Sequence, residues 1–470
     1  MPGAARRLCR LCSPYLAGQS WYSCPSFCGG RINFCRNSGE TTLTFERSTM
    51  VRQAIDRRSF VRLAGAGTAA ALAFPAYIPR LGEAADTLKI GLVEELTGVY
   101  AGPSENEVGG FQVALDAWNK RGGVLGRQVQ LVTEDSQNDP GVGAQKARKL
   151  IDQDKVTALC GTVSSAVSLS VGGVANAAGT IFIDSGGHSD AVTGASCHWN
   201  VFRTCHSTWM ETHATGFSLA KRFGKRWFLI TPDYAFGHAL ETGYKDVLAK
   251  IGGTMVGNEL TPLGTTDFSS YLTKIDAAKP DIVMVLVQGD DYVNCLKQMN
   301  QFGLLKKYAI GGPQVEIEPL LGLAPDSREG YWGIEWYYKS ELTLGKGNTL
   351  ANNFVAECTK RYGKPPTARD CFAYVTLDRL LTAMTEAKSL DAVKIARAIE
   401  GVRFNSVFNG PAYYRKEDHQ LMWPMWIAKI RPNGTPGDKY DLFDVIDMQP
   451  AEDIEQSIAD KEKVCKLGYP

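Results

Sequence analysis

The chain has 470 residues, a formal net charge of +1, and a composition that is 44% hydrophobic and 21% charged. This composition is that of an ordinary globular protein, which excludes collagen, coiled coils and disordered chains, while the length predicts two or three domains. The charge is uneven, because residues 1–84 contain 11 Arg, no Lys and 4 acidic residues, a net charge of +7 that leaves −6 for the remainder. A mildly acidic body without a basic stripe argues against nucleic acid as a partner.

The N-terminal segment 1–84 predicts an export signal preceded by an extension. Arg57 and Arg58 stand before a short run of small and apolar residues that is too short to span a bilayer. Paired arginines in this setting are typical of the twin-arginine route to the periplasm, and we expect cleavage after Ala84. A basic tail followed by an Ala-rich helix is the alternative. Because the segment from Met50 has by itself the length of a normal signal, Met50 is an alternative start of translation.

From residue 88 onward, apolar strands alternate with amphipathic helices. Phe111, Ala114, Leu115 and Trp118, for example, recur at the spacing of one helical face. The predicted elements of the first half are strands at 88–93, 129–133, 156–160 and 180–184, and helices at 108–121, 141–152 and 165–178. This alternation predicts a parallel, doubly wound sheet of the α/β class.

The same alternation starts again near residue 209 and predicts a second α/β lobe. Its strands are predicted at 226–231, 255–260, 282–287 and 308–311, and its helices at 209–223, 236–251, 267–278 and 291–302. Further helices are predicted at 349–362, 368–387 and 391–400, and late strands at 412–414, 422–430 and 442–445. A helical block followed by late strands indicates that the chain returns to the first lobe and then crosses again.

The motifs of common enzyme and metal sites are absent from the sequence. There is no His-Glu-x-x-His, no Gly-x-Ser-x-Gly, no Walker A motif and no Gly-x-Gly-x-x-Gly after the first strand. We therefore expect no metal, no cofactor and no enzymatic activity.

The cysteines are expected to form disulfides rather than a metal site. The Cys197-His198 and Cys205-His206 pairs match no common zinc spacing, and exported proteins meet an oxidising compartment. A bridge between Cys197 and Cys205 is the simpler interpretation, and Cys358 with Cys371 is a second candidate pair.

Ligands of open parallel sheets bind beyond the carboxyl ends of the strands, so the loops at those ends hold the candidate site. Hydroxyls and glycines at a helix N-terminus are typical of an anion site, and a carboxylate is the predicted anion here. The candidate residues are Tyr100, Ser164, Ser165, Asp184, Ser185, Gly186, Gly187 and His188 in the first lobe, and Phe236, Asp290, Gln314 and Glu316 in the second. Helix capping by Ser164 or Ser165 is one alternative. A catalytic triad of Asp184, Ser185 and His188 is another, although no motif marks a nucleophile.

Several motifs in order resemble the leucine/isoleucine/valine-binding family of periplasmic solute-binding proteins. They are Lys89-Ile90-Gly91, Leu96-Thr97-Gly98, and the stretches 109–114, 119–127, 135–140, 233–237 and 408–410. The resemblance implies a type I periplasmic binding fold of two Rossmann-like lobes with parallel doubly wound sheets, joined by a hinge of three crossover strands. It implies lobe 1 as 87–205 plus 340–409, and lobe 2 as 206–339 plus 410–470.

The resemblance also implies roles for site residues. The ligand carboxylate is expected at Ser165 and at the loop 186–188, and Phe236 stands where the family has a tyrosine that closes over the ligand. The acidic residue that holds an amino group falls near Gln314, and Glu316 or Asp290 is a substitute for it.

The implied function is that of a substrate-binding component of an ABC importer in the periplasm. Its implied partners are a small carboxylate or amino-acid-like solute and the permease subunits at the inner membrane, and a monomer is expected. Two alternatives stay open. One is a ligand-sensing regulator of the same fold for an amide or an aromatic acid, and the other is an exported α/β hydrolase.

Overall fold

The computed structural model describes residues 87–339, 347–408 and 411–470. Its strands are β1 (Leu88–Glu94), β2 (Val129–Asp135), β3 (Ala158–Gly161), β4 (Ile181–Asp184), β5 (Val201–Arg203), β6 (Arg226–Pro232), β7 (Thr254–Thr261), β8 (Ile282–Val285), β9 (Ala309–Gly312), β10 (Tyr331–Ile334), β11 (Tyr413–Tyr414), β12 (Leu421–Met422), β13 (Met425–Ile430) and β14 (Phe443–Gln449). The predicted export signal with Arg57 and Arg58 lies outside the described residues.

Helices fill the intervals between these strands and confirm the predicted α/β class. They are α1 (Ala101–Lys120), α2 (Pro140–Asp152), α3 (Ser165–Ala178), α4 (Thr208–Phe223), α5 (Ala235–Ile251), α6 (Ser269–Leu272), α7 (Ile275–Ala278), α8 (Gly289–Gln301), α9 (Leu304–Lys307), α10 (Ile317–Leu321), α11 (Thr349–Tyr362), α12 (Ala368–Ala387), α13 (Ala392–Ile399), α14 (Ala451–Ile454) and α15 (Ile458–Val464). Among the described residues, no helix combines the length and the apolar character needed to cross a membrane.

The first sheet has the strand order β2-β1-β3-β4-β5, and all of its pairs are parallel. Its inner strands β3 and β4 are buried along their whole length, as expected for a parallel sheet covered on both faces. The helix α12, which comes late in the chain, packs against α1 on this sheet. The chain therefore returns to the first sheet after building part of the second, as the sequence predicts.

The second sheet has the order β14-β13-β10-β9-β8-β6-β7. The strands from β7 to β10 pair in parallel, whereas β13 runs antiparallel to β10 and to β14. Large aromatic side chains fill its core, and Trp227, Trp332 and Trp426 are almost completely buried. Apolar burial of this size is the main stabilising contribution to the lobe.

Two element boundaries differ from the sequence-based prediction for reasons of proline chemistry. The helix α1 begins at Ala101 rather than at residue 108, because Pro103 lies in the first turn, where no hydrogen bond from its nitrogen is needed. The predicted strand at 422–430 is divided into β12 and β13. Pro424 stands between them and lacks the N–H that a continuous ladder requires.

The predicted Cys197–Cys205 disulfide is wrong. Cys197 pairs instead with Cys465, whose Cα lies 5.6 Å away, because the segment after α15 returns to the loop before β5. Cys205 is buried and unpaired after β5, and the second candidate pair is also wrong, since Cys358 and Cys371 are buried and free. The pairing spans 268 residues, so spacing along the chain does not reveal it.

Candidate functional site

The loops at the carboxyl ends of the two sheets meet through side-chain contacts. Tyr100, after β1, meets Tyr234, after β6, with 2.6 Å between their hydroxyl oxygens. Arg369, at the start of α12, donates to Glu316 after β9 at 2.6 Å and to the carbonyl oxygen of Gly186 after β4 at 3.1 Å. We refer to the space bounded by these contacts as the cleft.

Ser164 and Ser165 are both buried at the start of α3. Ser164 is the N-cap residue of this helix, but its side chain makes no capping hydrogen bond. The hydroxyl of Ser165 accepts a hydrogen bond from the backbone N–H of Ser189 at 3.0 Å. The side chain of Ser164 therefore does not cap the helix. The hydrogen bond to Ser165 connects the loop after β4 to α3.

The loop after β4 is held by internal hydrogen bonds. The carboxylate of Asp184 accepts from the backbone N–H of Gly187 at 2.9 Å and from the hydroxyl of Ser168 at 3.1 Å. A Cβ atom at Gly187 would lie 1.9 Å from the hydroxyl oxygen of Ser168. Burial raises the pKa of Asp184 to about 7, against the opposing effect of the Gly187 hydrogen bond.

Ser185 and Gly186 connect this loop to two charged side chains. The hydroxyl of Ser185 donates to the carboxylate of Glu107 on α1. A Cβ atom at Gly186 would lie 2.2 Å from Nη1 of Arg369 and 2.4 Å from Oε1 of Glu107. Only glycine lets the backbone approach the charged pair this closely.

The four candidates of the second lobe separate into two groups. Phe236 at the start of α5, Gln314 and Glu316 are buried at the cleft. The carbonyl oxygen of the Gln314 side chain has no hydrogen-bond partner within the described part of the chain. Asp290 is exposed and does not join them, because the first turn of α8 directs Asp291 inward instead.

Carboxyl groups dominate the cleft. The glutamates buried here in addition to Glu316 are Glu94, Glu95, Glu107, Glu211 and Glu335. Burial raises the pKa of Glu94 well above its usual range, and the neighbouring Glu107 and Glu95 raise it further. In the described residues, neither carboxyl oxygen of Glu94 has a hydrogen-bond partner. Since unpartnered buried acids are costly, the cleft suits a ligand group that is positively charged or donates hydrogen bonds.

Arg369 is the main counter-charge in the cleft. Its guanidinium lies 2.6 Å from Glu316 and 3.1 Å from Glu107. Burial alone would lower the pKa of this guanidinium, but the two carboxylates hold it well above its usual value. A capping box formed by Thr367 and Asp370 sets the start of α12 and thereby the position of Arg369 in the first turn.

Within this group of buried acids, Glu211 and Glu335 form a cluster with His188. Nε2 of His188 lies 2.9 Å from Oε2 of Glu335 and 3.4 Å from Oε1 of Glu211. Burial lowers the pKa of His188, against the opposing effect of Glu335. Burial and the charge of Glu335 raise the pKa of Glu211 well above its usual range. One nitrogen or oxygen atom from each side chain lies within 4.8 Å of the other two, so the cluster has the residue types and spacing of a metal site.

The alternative of a catalytic triad formed by Asp184, Ser185 and His188 requires a chain of hydrogen bonds that these side chains do not make. Ser185 bonds to Glu107 rather than to a histidine. The ring of His188 uses Nδ1 to contact the carbonyl oxygen of Gly186 at 2.6 Å and Nε2 to contact Glu335. Nucleophile, base and orienting acid are therefore not connected, and the hydrolase alternative has no geometric support.

Aromatic rings enclose one side of the cluster. The ring of His188 lies 6.0 Å from that of Phe236 and 6.2 Å from that of Phe372, both in edge-on geometry. Trp423 packs against Phe372 with 5.8 Å between ring centroids. These contacts exclude water from the imidazole and fix its orientation.

Sequence reasoning missed most of the charged residues of the cleft. Glu107 was missed because the predicted helix begins at residue 108, whereas α1 begins at Ala101. Arg369 and Glu211 were missed because they lie in helices rather than in the loops at strand ends. Glu94 is the last residue of β1, and Glu95 follows it. The rule that ligands bind beyond the carboxyl ends of parallel strands, which placed Tyr100 in the site, therefore also pointed to these two glutamates.

The residues 87–435 match the model of the periplasmic binding protein family. The chain belongs to this family. A Leu/Ile/Val-binding protein homolog 7 of Brucella suis biovar 1 (strain 1330) is 25% identical over 354 residues, which cover 71% of this chain and 85% of the relative. Members of the periplasmic binding protein family bind small solutes and work with ABC permeases, and they are not enzymes.

Solved structures of periplasmic binding proteins share the fold. One from Burkholderia mallei is 25% identical with a TM-score of 0.74, and the match covers 80% of this chain and 98% of that one. An amino acid ABC transporter substrate-binding protein from Pseudomonas fluorescens Pf-5 is 24% identical with a TM-score of 0.73, with coverage of 82% and 100%. The two-lobed type I periplasmic binding fold predicted from the sequence is thereby confirmed.

Proposed function

We propose that this periplasmic binding protein is the solute receptor of an ABC importer of the branched-chain amino acid type. It would bind a small amino-acid-like solute in the cleft and deliver it to permease subunits at the inner membrane. The observation that carries the proposal is the buried group of Arg369, Glu107 and Glu316, which joins the helices α1 and α12 at the first sheet to the loop after β9 of the second. The names of the Brucella relative and the Pseudomonas structure agree with a solute of this class.

The charges of the cleft favour an amino-acid-like solute over a plain carboxylate. A carboxylate alone would enter a space bounded by Glu94, Glu107 and Glu316, in which the guanidinium of Arg369 already pairs with two of these acids. An ammonium group would hold the surrounding glutamates in their charged form, while Arg369 is suited to a carboxylate on the same molecule. Amino acids carry both groups within a few ångströms.

Closure of the cleft would couple binding to transport. A solute that touches residues of both sheets stabilises the closed arrangement and shifts the population toward it. Permease subunits that recognise only the closed arrangement would then respond to loaded receptor. The predicted lobe boundaries, 87–205 plus 340–409 and 206–339 plus 410–470, and the predicted monomer remain part of this proposal.

Isothermal titration calorimetry with amino acids, aromatic acids, amides and urea tests the proposal. The wild-type protein is expected to bind an amino-acid-like solute at one site, and Glu107→Gln is expected to weaken binding at least tenfold. The matched control is Asp290→Asn, an exposed position that leaves affinity unchanged. Binding of no member of the panel, or equal affinity in Glu107→Gln and wild type, contradicts the proposed site.

The combined variant Ser165→Ala and His188→Ala tests the loop predicted to hold a carboxylate. It is expected to weaken the same solute, because Ser165 positions the loop that contains Gly186 and His188. Unchanged affinity of the double variant would remove this loop from the site.

Export by the twin-arginine route is the remaining part of the proposal. Replacing Arg57 and Arg58 by Lys is expected to retain the protein inside the cell, because the route reads the paired arginines. Undiminished recovery from the periplasm would instead point to another export route. Purely cytoplasmic wild-type protein would favour the ligand-sensing regulator.

A further inference from the structure

We propose that His188, Glu211 and Glu335 bind a divalent transition-metal ion between the two sheets, with Zn²⁺ as the best fit. The three side chains come from the loop after β4, the first turn of α4 and the residue after β10. All three are buried, with at most 2% of their surface exposed. This site goes beyond solute reception and does not depend on the identity of the solute.

The orientation of the His188 ring is the first argument. Nδ1 lies 2.6 Å from the carbonyl oxygen of Gly186, which can only accept, so this nitrogen carries the proton. In a neutral ring, Nε2 then presents its lone pair to Glu335 at 2.9 Å and to Glu211 at 3.4 Å. The lone pair of Nε2 and the carboxylate of Glu335 repel each other, and a cation bound by both converts this repulsion into coordination.

The spacing of the three atoms is the second argument. Bonds of about 2.0–2.2 Å from zinc to nitrogen and oxygen place ligand atoms about 3.3 Å apart in a tetrahedron and about 3 Å apart in an octahedron. The two distances from His188 Nε2, 2.9 and 3.4 Å, already fall at these values. The ligand oxygens of Glu211 and Glu335 lie within 4.8 Å of each other, so an ion fits once these two side chains adjust to the same spacing.

The groups behind the ligands are the third argument. The backbone N–H of His206 donates to Oε1 of Glu335 at 3.1 Å, and the ring Nδ1 of His206 lies 3.0 Å from the same oxygen. Oε2 of Glu335 is left facing His188. The carbonyl of Gly186 orients His188 in the same way. Outer contacts of this kind fix the direction of metal ligands.

The burial of Glu211 is the fourth argument for a cation at this cluster. It is completely buried, and within the described part of the chain neither of its carboxyl oxygens has a hydrogen-bond partner. A buried carboxyl group without a hydrogen bond is costly. Coordination of a metal ion by Oε1 removes that cost.

The residue types select the class of metal. One imidazole and two carboxylates suit zinc and its first-row neighbours, whereas calcium prefers six to eight oxygen ligands. Three protein ligands leave a coordination position for water or for a donor atom of the solute. Since His188 belongs to the first sheet and Glu211 packs with the second, the ion stabilises the closed arrangement of the cleft.

Titration of the chelator-treated protein with Zn²⁺, followed by calorimetry and by thermal unfolding, tests this inference. Wild type is expected to bind one Zn²⁺ that Glu211→Gln binds at least tenfold more weakly, and Zn²⁺ is expected to raise Tm only where the cluster is intact. The control Asp291→Asn changes a buried carboxylate that accepts from the backbone of Gly264, away from the cluster, and is expected to bind as wild type does. Zinc bound outside the cluster contributes equally to all three proteins, so the site is measured as the difference between wild type and Glu211→Gln.

Two outcomes overturn the inference. One is the absence of saturable Zn²⁺ binding to wild type, and the other is equal binding and an equal Tm increase in Glu211→Gln. Should Glu211→Gln fail to fold, His188→Gln provides the same comparison. Solute titrations carried out with chelator present keep the test of the proposed function separate, because that function does not require the metal.

Discussion

In this periplasmic binding protein, the core of the second sheet and the carboxyl edge of the first sheet bury side chains of opposite character. The second sheet encloses tryptophans such as Trp227, Trp332 and Trp426, which bury large apolar surfaces. The carboxyl edge of the first sheet instead buries ionisable groups, Glu94 and Glu95 among them. Apolar burial stabilises the fold without a ligand, whereas buried acids reduce stability until a partner neutralises them. This division favours selective binding, because the apolar second sheet stabilises the fold while the acidic edge of the first sheet is stabilised only by a ligand that neutralises its carboxyl groups.

The largest expected effect lies in the second sheet. Trp332→Ala removes a fully buried ring that packs against Tyr292 with 5.2 Å between centroids. We expect a loss of about 3–5 kcal/mol in the free energy of unfolding, because the cavity cannot be refilled. Urea unfolding measures it, with the half-exposed Leu350→Ala as a control within about 0.5 kcal/mol of wild type. If Trp332→Ala lost no more unfolding free energy than Leu350→Ala, apolar burial in the second sheet would not be a main source of stability.

The covalent link near the first sheet is next in size. Cys465→Ser removes the bond to Cys197, which closes a loop of 268 residues. We expect a loss of about 2–4 kcal/mol. Thermal unfolding should also show that reductant lowers the Tm of wild type but not that of the variant. Equal sensitivity of both proteins to reductant would contradict the assigned pairing.

The buried acids of the first sheet should give stability a characteristic pH dependence. Burial raises the pKa of Glu95 from 4.5 to about 7, although the backbone N–H of Val163 opposes the shift. The folded state then binds this proton more tightly than the unfolded state. The stabilisation from Glu95 is therefore complete below pH 4.5 and is lost as the pH rises through about 7.

Glu95→Gln tests this dependence directly. We expect wild type to lose about 3 kcal/mol from this group between pH 4.5 and 7.5, and the variant to lose correspondingly less. Urea unfolding over this pH range measures the two slopes. Parallel slopes for wild type and variant would show that Glu95 titrates normally.

The smallest effect on unfolding free energy is expected when an exposed acid is replaced instead of a buried one. Asp290→Asn changes an exposed carboxylate in the first turn of α8. We expect a change in unfolding free energy within about 0.5 kcal/mol at every pH. A larger change in the same urea titrations would give Asp290 a role that its exposure does not indicate.

The sequence predicted the fold far better than the site. Continuous apolar runs gave β3 and β4, because parallel strands are buried on both faces and carry that pattern locally. Glu211, Glu335 and Arg369 became neighbours only through the packing of α4, the end of β10 and α12, which no local pattern encodes. The disulfide to Cys465 was missed for the same reason.

The hydroxyl contact between Tyr100 and Tyr234 has a consequence for the range of motion of the cleft. Water can replace either partner when the lobes separate, so the net gain is only about 0.5–1.5 kcal/mol. Such a weak bond does not lock the molecule, but two rigid phenol rings cannot approach further once their oxygens are 2.6 Å apart. In the proposed closing movement, the pair would therefore act as a reversible mechanical stop with a fixed end point.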